Sequence, residues 1–154
     1  MPHRSIAAGN ARAGRVNEAL LSRLLGDPYY HREPPKSCGR EQYGAEFVRN
    51  TGIDVATATE LTVQSIALAI ERYPATQEVI VSGGGAHNIY LMERLRTTLK
   101  PRVTTSAEFG VDVDAKEAIL FAVLAYESHQ LRAGNLPSAT GARKPVILGK
   151  ISRS

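Results

Sequence analysis

The sequence QEVIVSGGGAHN runs an apolar, strand-like segment straight into three consecutive glycines, Gly83, Gly84 and Gly85, and then into an amphipathic helix. A turn needs one glycine or two. Three leave the main chain bare where strand meets helix, and glycine alone tolerates every φ and lets a ligand approach the backbone. In open α/β sheets, ligands sit beyond the carboxyl ends of strands, where loops enter helix N-termini. Unpaired N–H groups and the helix dipole favour an anion or a polar group there. The stretch therefore suits a nucleotide, and the competing reading is a flexible turn. It has neither the G-x-G-x-x-G spacing of a dinucleotide site nor the Gly-Lys-Ser/Thr of a P-loop.

The flanking sequence gives the fold class. VNEALLSRLLGDP predicts a short helix capped by Asn17, with Leu20, Leu21, Leu24 and Leu25 as its stripe and Gly26 and Pro28 as its stop. YYHREPPKSCGRE reads as an extended loop, and a further helix is expected from Glu41 to Arg49. Asp54 caps a longer helix ended by Pro74, with Val55, Ala58, Thr62, Ile66, Ala69 and Tyr73 at helical spacing. After the strand EVIVS, Asn88 caps a helix reaching Leu99, whose apolar face is Leu91, Met92, Leu95 and Leu99. RVTTS is a second strand. The last long helix is expected from Asp114 to Leu131, with Asp114 and Glu117 spaced as a capping box. Its AILFAVLAY core is apolar nearly all round, which predicts burial on most sides. GNLPSATG reads as a loop and KPVILGKI as a terminal strand. This order predicts α/β with parallel pairing.

Size and charge narrow the function classes. A chain of 154 residues with 43% hydrophobic content is long enough for one domain with a core. The net charge of +4 comes largely from the two ends, with His3, Arg4, Arg12 and Arg15 at one and Arg143, Lys144, Lys150 and Arg153 at the other. Aromatic residues do not interleave with basic ones, which argues against a nucleic-acid platform. Cys38 is the only cysteine, so no intrachain disulfide is possible. With no apolar run of membrane length and no secretory leader, the expectation is a cytoplasmic protein without a membrane role, the short basic start also admitting a transit peptide.

The other candidate residues each carry two readings. Glu117 is a capping partner by spacing, or a carboxylate at a helix N-terminus able to accept a substrate hydroxyl. Lys36, Ser37 and Arg40 follow two stiffening prolines and read either as a phosphate or partner contact or as a solvated loop. His3, His31, His87 and His129 lack metal-ligand spacing, and no nucleophile motif is present.

Five blocks in order, GRVNEALLSRLLGDPYY, PPKSCGRE, VIVSGGGAHNIYLMERL, DAKEAILFAVLAY and GNLPSATGA, resemble the C-terminal half of the anhydro-N-acetylmuramic acid kinase family over residues 14–151. The resemblance implies the sugar kinase, Hsp70 and actin superfamily, in which two RNase H-like domains clasp ATP between them. It further implies Mg2+-ATP-dependent opening and phosphorylation of 1,6-anhydro-N-acetylmuramic acid to N-acetylmuramic acid 6-phosphate in cell-wall recycling. By this resemblance Gly83, Gly84, Gly85 and Asn88 lie against the adenosine, and Glu117 lies on the sugar side. Residues 1–15 would be a lead-in at the domain seam and 16–154 an incomplete second domain.

The departures from the family pattern also bear on function. Neither the Asp-x-Gly-Thr-Ser phosphate loop nor the Asp-Thr-Gly-Pro-Gly-Asn stretch with the catalytic aspartate has a counterpart here. Cys38 stands where the family usually has threonine, and His87 where arginine is common. The expectation is a nucleotide-binding part that needs an N-terminal domain as partner and exposes a sheet edge prone to homodimerisation. The alternative is a non-catalytic module derived from such a kinase.

Overall fold

The computed structural model describes residues 11–39 and 41–151. Arg40, the end residues His3, Arg4 and Arg153, and most of the expected lead-in therefore lie outside the described residues. Residues 11–13 are helical instead of irregular. Ala11 is fully buried and Arg12 reaches Glu93 at 3.7 Å, so this segment packs onto the domain.

The helix α1 (Glu18–Leu25) starts where Asn17 Oδ1 accepts the Leu20 N–H at 3.0 Å. α2 (Pro28–His31) is a single turn inside the expected loop. Asp27 accepts from Tyr29 N at 2.8 Å, and Pro28 sits at the first position, where its missing N–H costs nothing. α3 (Ala45–Thr51) begins later than expected, after Gly44, and Gly52 ends it in the left-handed conformation. α4 (Val55–Glu71) follows from its Asp54 cap, which accepts the Thr57 N–H at 2.9 Å.

α4 is the axis of the fold, and its buried face differs from the expected stripe. Val55 and Tyr73 are exposed, whereas Ala56, Thr57, Thr59, Glu60, Leu61 and Val63 are buried. The reason is that α4 has a core on each side. Leu61 joins Leu21 and Ile53 in one cluster, with Leu24, Tyr30 and Phe47 packed around it. Val63 joins Met92, Leu95, Leu99 and Val103 in the other, with Ile66 and Ile70 alongside. The polar residues between the cores are paired, as burial requires. Thr57 Oγ1 donates to Asp54 Oδ2 at 2.7 Å and accepts from Asn17 N at 3.0 Å. Glu60 accepts two hydrogen bonds from Arg94 at 3.0 Å and one from Gln64 at 2.7 Å.

The sheet has two strands among the described residues, β1 (Glu78–Val81) and β2 (Arg102–Thr105), parallel and in register from Glu78↔Arg102 to Val81↔Thr105. Between them runs α5 (Ile89–Thr98), whose Met92 and Leu95 fill the second core, so the α/β class and parallel pairing hold.

The last third departs most from expectation. α6 (Lys116–His129) has Ala115 at its cap position and no side-chain cap, so the Asp114–Glu117 capping box does not form. Nor is α6 buried. Ile119, Leu120, Phe121, Val123 and Tyr126 are all largely exposed, because among the described residues no other helix or strand packs substantially against this helix. Among the described residues, a strap of irregular chain lies along one side of it. Ser128 donates to Leu148 O, and a Cβ on Gly134 would lie 3.2 Å from Leu124 and 3.4 Å from Leu148. KPVILGKI is this strap and not a strand. Val146 bonds through both backbone groups to Gly134 and Asn135, after a single-turn helix α7 (Pro137–Thr140). Apolar side chains of this size gain about 1.5–3 kcal/mol each on full burial.

The paired carboxylates set the acid response of the fold. Arg94, by hydrogen bonds first and charge second, holds the Glu60 carboxyl below its ordinary range, and the Thr57 N–H and hydroxyl do the same for Asp54. Such groups stabilise fully above the ordinary carboxylate range, and the contribution disappears as pH falls through the lowered values. Glu60→Gln should cost roughly 2–3 kcal/mol at neutral pH, less than for a fully buried pair because Arg94 is partly solvated. In urea unfolding at pH 7 and pH 3, the variant should also lose less stability on acidification than the parent.

Candidate nucleotide site

β1 ends at Val81, and the chain enters the glycine turn through Ser82. Gly83 has φ +81° and ψ −171°, a conformation that L side chains rarely adopt, and donates its N–H to Val113 O at 2.7 Å. This is the first answer to the three glycines: one is required by backbone geometry. Gly84 and Gly85 open a 3-10 turn over Gly84–His87, and both are exposed. Asn88 then caps α5, its Oδ1 accepting from Leu91 N at 3.1 Å. The side-chain Nδ2 retains donor capacity that the cap does not use.

A hollow of about 290 Å³ opens beside the turn, lined by Ile53, Val55, Ala58, Thr62, Asn88 and Leu91. A Cβ on Gly85 would lie 3.6 Å from Leu91 Cδ2, so the bare turn adjoins this hollow. Val55, Ala58 and Thr62, which the sequence shows at helical spacing, are thus the wall of a cavity. A larger cleft of about 580 Å³ lies between α1, α4 and α5, around Glu60, Tyr90 and Arg94. None of the three glycines lines either space, but Asn88 and Leu91, which follow directly on the turn, line the smaller hollow, whereas the floor of the larger is the structural ion pair, so the smaller hollow is the better ligand site.

The turn is tied to the start of α6 at two points. Besides the Gly83–Val113 bond, His87 Nε2 lies 2.9 Å from both carboxylate oxygens of Asp114. Asp112 Oδ1 in turn accepts from Asp114 N at 2.8 Å, which draws Asp114 away from the helix cap. His87, which stands where arginine is common in the family pattern, thus has an acidic partner. Glu117 is exposed on the first turn of α6, three residues beyond Asp114, and takes no part in capping. The structure therefore gathers Gly83–Asn88 and the α6 N-terminus into one region.

The PPKSCGRE loop is placed elsewhere by its bonds. Lys36 Nζ donates to the carbonyls of Tyr29 at 3.0 Å and Tyr30 at 2.9 Å and sits 5.0 Å from the Tyr29 ring. It closes α2 over an aromatic cluster of Tyr29, Tyr30, Tyr43 and Phe47, where burial pushes the Tyr30 and Tyr43 hydroxyls above the usual phenol range. Ser37 and Cys38 are exposed. The loop meets the last block of the sequence where Pro35 would contact a Cβ on Gly141 at 2.9 Å.

Sequence reasoning missed Val113, Asp114 and the hollow. Asp114 carried a signal, as an acidic residue before a helix, but its true partner lies 27 residues upstream. The hollow carried none, because its wall residues matched an ordinary core stripe.

Gly83→Ala should cost about 1–3 kcal/mol from its positive φ. Gly85→Ala, meeting only an ordinary contact, should stay within about 0.5 kcal/mol of the parent or gain slightly. Thermal unfolding of the two variants tests this ordering.

The sequence profile of the family described as anhydro-N-acetylmuramic acid kinase matches residues 6–154. Curated relatives of that name include proteins from Xanthomonas oryzae pv. oryzae, 46% identical over 151 residues, and Coxiella burnetii, 40% identical over 151 residues. A third, from Caldanaerobacter subterraneus subsp. tengcongensis, is 39% identical over 158 residues. Each alignment covers 92% of this chain but only 40% or 41% of the relative, so the chain spans about two-fifths of their length. With this match over nearly its whole length, the chain belongs to the anhydro-N-acetylmuramic acid kinase family.

Proposed function

We propose that the chain forms the nucleotide-side wall of a kinase cleft in the RNase H-like architecture of the sugar kinase, Hsp70 and actin superfamily. The complete enzyme would use ATP to open 1,6-anhydro-N-acetylmuramic acid with water and phosphorylate it to N-acetylmuramic acid 6-phosphate. One observation carries the reading: Gly83 holds a side-chain-free turn at the carboxyl end of β1, beside an apolar hollow next to Asn88 and Leu91. Adenosine has the matching chemistry, a flat apolar base with polar edges. Gly84 and Gly85 let it approach the backbone, and the unused Asn88 Nδ2 is a donor for its edge or ribose. Glu117 is assigned to the sugar side, where its carboxylate would accept a hydroxyl. Ser37 and Arg40 remain candidates for contacts across the cleft, whereas Lys36 acts through the α2 carbonyls that it binds.

No group of three His, Cys, Asp or Glu side chains gathers to hold a metal among the described residues. Magnesium would arrive on the nucleotide phosphates, its usual mode of binding, which asks for no dedicated cage of protein ligands. Phosphoryl transfer depends on in-line positioning and a group that orients the nucleophile. General-base catalysis alone typically contributes about 10²–10⁴-fold, and its aspartate, like the phosphate loop, is assigned to the partner portion.

Calorimetric titration with Mg-ATP should give saturable binding that Gly84→Asp weakens at least about tenfold, a loss of some 1.4 kcal/mol. The chain alone should form no ADP in response to the anhydro-sugar. Undiminished binding by Gly84→Asp would remove the turn from the site, and sugar-dependent ADP formation would refute the division of labour.

A further inference from the structure

The exposed helix α6 has a face with no cover among the described residues. AILFAVLAY places nine apolar residues in succession. Ile119, Val123 and Tyr126 are 46%, 51% and 57% exposed, and their i, i+4, i+7 spacing puts them on one side of the helix. The strap takes roughly the opposite side, at Leu124 and Ser128. Leu120, 50% exposed and next in sequence to Ile119, widens the uncovered surface. Soluble proteins rarely leave an apolar patch of this kind open, and such a patch marks an interaction site.

The helix itself narrows the occupant. At 14 residues it rises about 21 Å, short of the roughly 30 Å of a bilayer core. It also lacks the basic face of a membrane-surface helix, since its charges sit at the ends: Lys116 and Glu117 at one, and Glu127, paired with Arg132 at 2.7 Å, at the other. An apolar centre with charged ends is the anatomy of a protein interface. The curated relatives continue well beyond the stretch matched here, which supplies a protein surface of sufficient size.

We infer that the Ile119–Val123–Tyr126 face of α6 is the seat for the remaining portion of an anhydro-N-acetylmuramic acid kinase. The inference rests on the kinase reading above and adds where the two portions meet. It also couples that contact to the nucleotide turn, because the N-terminus of α6 is held to Gly83 through Val113 and to His87 through Asp114. Docking on α6 thus fixes the height and tilt of the turn against which adenosine would lie.

The test co-expresses this chain with the part of the Xanthomonas oryzae relative outside the stretch that the chain matches, followed by affinity capture and size-exclusion chromatography. A one-to-one complex is expected, with Ile119→Glu and Val123→Glu each weakening it at least tenfold. Tyr73→Glu, at a 55% exposed position at the end of α4, should bind as the parent does. Because all three residues are exposed, the variants should match the parent in circular dichroism and melting temperature. Capture of both α6 variants at parental strength would overturn the assignment of this face, and so would failure of the parent to form any complex. A dimer of this chain alone that Val123→Glu dissolves would give the face to a second copy and likewise overturn it. Mg-ATP titration of the same samples separates the two readings: a complex that depends on α6 but binds no nucleotide upholds the surface and removes the nucleotide site.

Discussion

Everything positioned around the candidate site depends on α4 being buried between two cores. A helix with one wet face needs a single apolar stripe, but one packed on two sides must also bury whatever lies between them. In α4 that intervening row is Thr57, Thr59 and Glu60, and each has a partner: Thr57 bridges Asp54 and Asn17, Thr59 bonds back to Val55 O at 2.8 Å, and Glu60 takes Arg94 and Gln64. These bonds do more than satisfy buried groups. Asn17 opens α1 and Arg94 lies on α5, so the same contacts fix both neighbouring helices against α4.

With α4 and α5 fixed, the hollow between them and the glycine turn above it follow. Asn88 ends the turn and begins α5 in the same residue, which sets the distance from the bare backbone to Leu91. The α6 segment enters by two polar links, and beyond them the strap covers one side of that helix and leaves the Ile119–Val123–Tyr126 side open. The domain therefore has a firm half, built on α4, α5 and the two strands, and a second half in which one face of α6 has no cover among the described residues. Under the kinase reading proposed above, a contact on α6 would reach the turn through Val113 and Asp114.

Much of this was readable from the chain. Asn17, Asp54 and Asn88 all cap as their positions predicted, because an N-cap is decided by a few adjacent residues. The strands and their parallel pairing followed from apolar runs separated by a helix. Features requiring distant partners were not readable. Asp114 looked like a cap but binds His87 instead. Val55, Ala58 and Thr62 share the spacing of a core stripe yet line a cavity, since periodicity identifies a face without saying what it meets. Composition predicted that α6 should be buried, and among the described residues it is not, because burial needs a packing partner that a helix's own sequence does not specify.

The central claim, that a nucleotide sits against Gly83–Asn88 and the adjoining face of α4, is tested most directly by amide NMR of the labelled chain titrated with Mg-ATP. The account predicts shifts concentrated at Gly83–Asn88, Leu91, Ala58 and Thr62, with the signals around Glu60, Tyr90 and Arg94 at the larger cleft little changed. A well-dispersed spectrum in which that larger cleft responds instead, or in which nothing responds, would contradict it.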